Sequence, residues 1–100
     1  MRTSISRVTS NGTPTSDIVS AEVSFLSEVL GNLRDSGKIS NEAYLDAGTI
    51  QGGLSIVANL IEQGAPSEEI ENQISQLSSK ASMICSSHPE IDQQIESFRQ

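Results

Sequence analysis

Apolar residues recur in alternating steps of three and four along most of this chain. The first run is Val19, Val23, Leu26, Leu30 and Leu33, and the second is Ala43, Ala47, Ile50, Leu54, Val57 and Ile61. A third, Ile70, Ile74, Leu77, Ala81 and Ile84, continues in register through His88, Ile91, Ile95 and Phe98. Such spacing lines one face of a helix with side chains that pack on other helices. The pattern predicts an all-α fold: a small bundle of three long helices over 17–100, with a short fourth helix at the C-terminal end.

The turns between the runs carry matching signals. Thr15, Ser16 and Asp17 can each accept a bond from the first-turn amides of a helix over 15–34, which Asp35-Ser36-Gly37 then stops. A second helix opens at Ser40 or Asn41 and ends at Gln63, with Gly64 as its left-handed cap and Pro66 beyond. Ser67 should cap the third, whose first turn holds Glu68, Glu69 and Glu71 against the positive helix end, and which reaches Cys85 or Ser86. Ser87 and Glu90 have the spacing of a capping box for a helix from His88 or Pro89 onward, although the unbroken register also fits one helix kinked at Pro89.

Gly48, Gly52 and Gly53 interrupt the second helix, and each costs about 1 kcal/mol relative to alanine. Two readings follow. Gly48 and Gly52, four apart, make a smooth strip for close approach of another helix, or Gly52-Gly53 breaks the element in two.

Residues 1–16 look different. They hold eight serines and threonines, the Asn11-Gly12 turn pair and Pro14, with only Ile5 and Val8 as internal apolar positions, and they predict a disordered tail. A Ser/Thr-rich, acid-free, weakly amphipathic leader of this kind resembles those of bacterial type III secretion substrates and, less closely, a mitochondrial transit peptide. That resemblance implies an export address in the tail. Asn11-Gly12-Thr13 matches a glycosylation sequon, but no apolar signal segment accompanies it.

Charge narrows the choice of partner. The net charge is −7, and the tail contributes Arg2 and Arg7 without an acid, so the rest of the chain carries −9. Such a surface repels phosphate backbones and anionic lipid, which argues against direct nucleic-acid or membrane binding and leaves basic protein surfaces as fitting partners. The segment expected to act as a DNA-reading helix, from Ser40 to Gln63, has no lysine or arginine. Gly52–Ile61 is too short to span a bilayer, and Cys85, the only cysteine, allows no internal disulfide, so a cytoplasmic location is the default.

Candidate chemistry is thin. Cys85 and His88 stand three apart, near enough on a helix for a nucleophile pair or half a zinc site, but two further zinc ligands and an orienting third group have no counterpart nearby. An EF-hand alignment through Gly37 puts Arg34 and Ala43 where ligands belong. No glycine loop is followed by a phosphate-binding lysine, and the acids fit solvated helix ends better than acid–base catalysis.

The expectation is therefore a non-enzymatic interaction module needing no metal or cofactor: an adaptor, chaperone or regulator that binds another protein or a second copy. The alternatives are an exported substrate or small component of an export apparatus, and an acidic mimic of nucleic acid. The contact residues predicted for the first reading are Ile70, Ile74, Leu77 and Ile84, extended by Ile91, Ile95 and Phe98, with Gly48 and Gly52 as a close-contact strip. The competing reading of the same positions is the core of one chain.

Overall fold

The computed structural model describes residues 1–9 and 14–99 and contains five helices and no strand among them. They are α1 (Arg2–Thr9), α2 (Ser16–Asp35), α3 (Asn41–Glu62), α4 (Ser67–Ser87) and α5 (Ile91–Glu96). Short turns make α2 and α3, and then α3 and α4, neighbours in a bundle. Its extents are 40 × 23 × 19 Å, and the longest corresponds to helices of 20 to 22 residues with their caps.

Helix starts follow local chemistry in two cases. Thr15 accepts a bond from Ile18 N at 3.3 Å, and Ser40 accepts one from Ala43 N at 3.0 Å. Gly37 and Gly64 take left-handed backbone conformations, with φ of 73° and 78°, and turn the chain after α2 and α3.

Elsewhere the boundaries differ from expectation. Ser67 lies inside α4 rather than capping it, because the Pro66 carbonyl already accepts from Ile70 N. The box of Ser87 and Glu90 does not form either. α4 runs through Ser87, the backbone leaves helical geometry at His88, and α5 starts at Ile91 without a side-chain cap. The single kinked helix is thereby excluded. Gly52-Gly53 leaves α3 unbroken, since flanking apolar residues pack on both α2 and α4.

The largest correction concerns the N-terminal segment. Residues 2–9 are not a disordered tail but a helix packed on α2 and α4, while the Asn11-Gly12 turn lies outside the described residues. Met1, Ile5 and Val8 share one face and enter the core with Ser4. A segment this short has no intrinsic helical stability, so docking supplies what its composition lacks.

The core joins these residues to Val19, Leu26, Leu30 and Leu33 of α2 and to Ile50, Leu54 and Val57 of α3. α4 and α5 close it with Ile70, Ile74, Leu77, Ala81, Ile84, Ile91 and Ile95. All of these come from one chain.

Candidate functional site

The predicted contact seam is therefore already occupied. Ile70, Ile74, Leu77, Ile84, Ile91 and Ile95 are buried against their own chain, and this arrangement is the core alternative rather than an open interface. Phe98 lies just beyond α5 and keeps 44% of its surface exposed. Gly48 and Gly52 are not a close-contact strip within the chain, because a methyl group built on either meets nothing within 4 Å. The close approach falls one residue away, at Gly53. There an added methyl would overlap the end of Leu77 and lie 3.2 Å from its Cγ, so Gly53 is where α3 admits α4.

With the seam buried, the outer face of α3 becomes the unusual surface. Glu42, Leu45, Thr49, Gly52, Ile56 and Asn59 are exposed along one line of it, again in steps of three and four, with Asn41 and Glu62 exposed at its two ends. Solvent faces of helices normally carry charge. Here nothing from Leu45 to Asn59 on that line is charged, Leu45 is 66% exposed and Ile56 is 54% exposed. The two large side chains are separated by the small positions Gly48, Thr49 and Gly52. Beside this face a shallow groove of about 620 Å³ runs between α3 and α4, with Asp46 and Thr49 on one wall and Lys80 and Met83 on the other. Met83 is the most exposed of the large apolar side chains, at 72%.

Three polar clusters bring titratable side chains together. Glu22 of α2, only 6% exposed, receives Arg7 Nε at 3.0 Å and Arg99 Nη1 at 3.1 Å on the same oxygen. Arg99 Nη2 lies 3.0 Å from the other oxygen, close enough for ionic attraction but outside hydrogen-bond alignment, and donates instead to Ser4 Oγ at 3.1 Å. Arg99 also stacks 4.1 Å from the Phe25 ring centroid. Burial works against its charge, but Glu96 and Glu22 outweigh that and hold its proton more tightly than usual. This cluster clasps α1, α2 and the C-terminal segment, and its one acceptor without a hydrogen bond, Glu22 Oε1, is buried beneath the Arg99 guanidinium, where no substrate can reach it.

In the second cluster the Met1 ammonium donates to Asp92 Oδ1 at 3.0 Å and the Cys85 thiol donates to Asp92 Oδ2 at 3.1 Å. Burial disfavours ionised Asp92, yet its bonds from the ammonium, the thiol and the Arg2 backbone hold the carboxyl below its ordinary range. Burial and the Asp92 carboxylate together push the Cys85 thiol up to about 11. That is the opposite of a nucleophilic cysteine, which needs its thiolate near neutral pH.

The third is the contact of His88 Nε2 with Asp46 Oδ2 at 3.0 Å, which ties the α4–α5 turn to α3. Cys85 and His88 thus turn to different carboxylates and form no pair. Among the described residues no group of three His, Cys, Asp or Glu is placed to hold a metal ion, and no helix is long and apolar enough to cross a membrane. No protein-family model, curated protein or solved structure matches the chain.

Leu45, Thr49, Ile56 and Met83 were not among the predicted contact residues. A signal was present in the sequence: the second helix carries Leu45, Thr49, Gly52 and Ile56 at heptad spacing, offset from its apolar run and without a charge. Which of the two faces outward depends on the packing of its neighbours.

Proposed function

We propose that this chain is a non-enzymatic protein–protein interaction module, an adaptor, chaperone or regulator, that presents the outer face of α3 to another protein. The observation that carries this reading is the uncharged line of Leu45, Thr49, Gly52 and Ile56, exposed on a chain whose core is closed without it. Burying a large aliphatic side chain completely is worth roughly 1.5–3 kcal/mol, and with Leu45 at 66% and Ile56 at 54% exposure the fold leaves more than half of that unused at each.

The glycines point the same way. Gly48 and Gly52 lower helix stability by about 1 kcal/mol each and admit no neighbour within the chain, so the close approach they permit is open only to something outside it.

The test is affinity capture with the intact chain from cells that contain it, beside a double variant Leu45→Asn/Ile56→Asn. Both positions are exposed, so the variant should melt like the parent. Proteins retained by the parent and lost from the variant are the expected result. Identical captures by both, with melting unchanged, would remove the α3 face from consideration.

A further inference from the structure

Resting on that reading, we infer that the occupant of the α3 face is an amphipathic helix of another protein whose apolar stripe is flanked by lysine or arginine. The form of the occupant comes from the form of the face. Leu45, Thr49, Gly52 and Ile56 repeat at the interval at which a second helix presents its own side chains, over about 16 Å at 1.5 Å per residue. Large side chains at the ends and small ones between leave a shallow saddle into which a partner's side chains can descend. An extended peptide would gain nothing comparable, because the backbone hydrogen bonds of α3 are internal and offer no edge to pair with.

The charge of the occupant comes from what surrounds the face. Between Lys38 and Lys80 the sequence contains no lysine or arginine and six acids. Glu42 stands exposed at one end of the line, and Glu62, Glu68 and Glu69 are exposed where α3 passes into α4 at the other. The countervailing charges are Lys80 on the α4 wall of the adjoining groove and Arg34 of α2, which stacks 4.4 Å from the Tyr44 ring centroid and is itself paired with Asp35.

A second copy of the chain fits poorly. In either orientation two α3 faces would bring glutamates to glutamates at their ends, whereas basic flanks would meet these acids and leave the uncharged centre to apolar contact.

The experiment is calorimetric titration of the intact protein with two synthetic 18-residue helical peptides. They share one leucine stripe at heptad spacing, and their flanks are all lysine in one and all glutamate in the other. The lysine peptide should bind at least tenfold more tightly than the glutamate peptide, lose tenfold or more against Leu45→Asn/Ile56→Asn, and weaken as salt rises from 50 to 500 mM.

Equal binding of the lysine peptide to parent and double variant would overturn the inference by showing attraction to the acidic surface alone. Equal binding of both peptides would overturn the charge argument. A dimer in light scattering that the double variant abolishes would assign the face to a second copy. If neither peptide binds while the capture comparison still loses proteins with the variant, the basic helix is wrong and the interaction module stands.

Discussion

Gly52 and Gly53 are adjacent, yet their surroundings oppose one another. A methyl at Gly52 enters open space, while one at Gly53 runs into Leu77. Gly52→Ala should therefore stabilise the chain by about 0.5–1 kcal/mol, whereas Gly53→Ala should lose that gain to overpacking worth about 1–3 kcal/mol. Chemical denaturation of the two variants checks the order, and Gly53→Ala as the more stable would contradict the α3–α4 contact described here. Cys85 offers a second test at this scale. Its thiol is raised from the ordinary 9.0 to about 11, so at a given pH below 9 its thiolate is on the order of 100-fold scarcer than in the unfolded chain. Alkylation by iodoacetamide should slow by about that factor on folding. Between pH 9 and 11 the folded chain binds the extra proton, so its stability should fall as pH rises through that window.

At the scale of elements, α1 separates composition from structure most clearly. Its serines and threonines and its two arginines suit a solvated segment, and only Ile5 and Val8 break that character. What orders it lies elsewhere: the side chains that receive Met1, Ile5 and Val8, and the carboxylate of Glu22 that meets Arg7. Val8→Asp places a charge in that contact and should undo α1 docking, worth about 2 kcal/mol or more, with a melting temperature lower by roughly 10 °C. Hydrogen exchange reads the same event locally, as loss of protection over residues 5–9. A disordered leader would respond to neither measurement. The long helices were legible because their period is set by contacts every three or four residues, and because Thr15, Ser40, Gly37 and Gly64 are local devices. The ends of α4 and α5 were less so. Ser67 and Ser87 have the chemistry of caps, but α4 opens on the Pro66 carbonyl and its backbone bonds continue to His88 N, which places both serines inside the helix.

Across the whole molecule, one carboxylate links segments far apart in sequence. Glu22 joins Arg7 and Arg99, and Arg99 in turn reaches Ser4, Phe25 and Glu96. Glu22→Ala would leave Arg99 with Glu96 and Ser4 as its remaining partners and should destabilise the chain by about 1–3 kcal/mol. The exposed pair of Arg34 and Asp35 is the control, since Asp35→Ala should change stability by no more than about 0.5 kcal/mol. Comparable effects from the two substitutions in urea unfolding would mean that the clasp contributes nothing beyond an ordinary surface pair. Glu22 was not foreseeable as a joint, because its partners stand 15 and 77 positions away and no local signal in the sequence brings them to it.

The sequence by itself determined the all-α class, the three long helices and their principal turns, for these rest on spacing and on residues that act within a few positions of themselves. Only the tertiary structure decided that Ile70, Ile74 and Leu77 serve the core of their own chain, that residues 2–9 complete it, and that Leu45 and Ile56 are left facing outward. The physical reason is that a helical period identifies an apolar face but not its neighbour. α3 carries apolar side chains on its main run and, in Leu45 and Ile56, off it, and α2 and α4 together cover the first and leave the second to solvent.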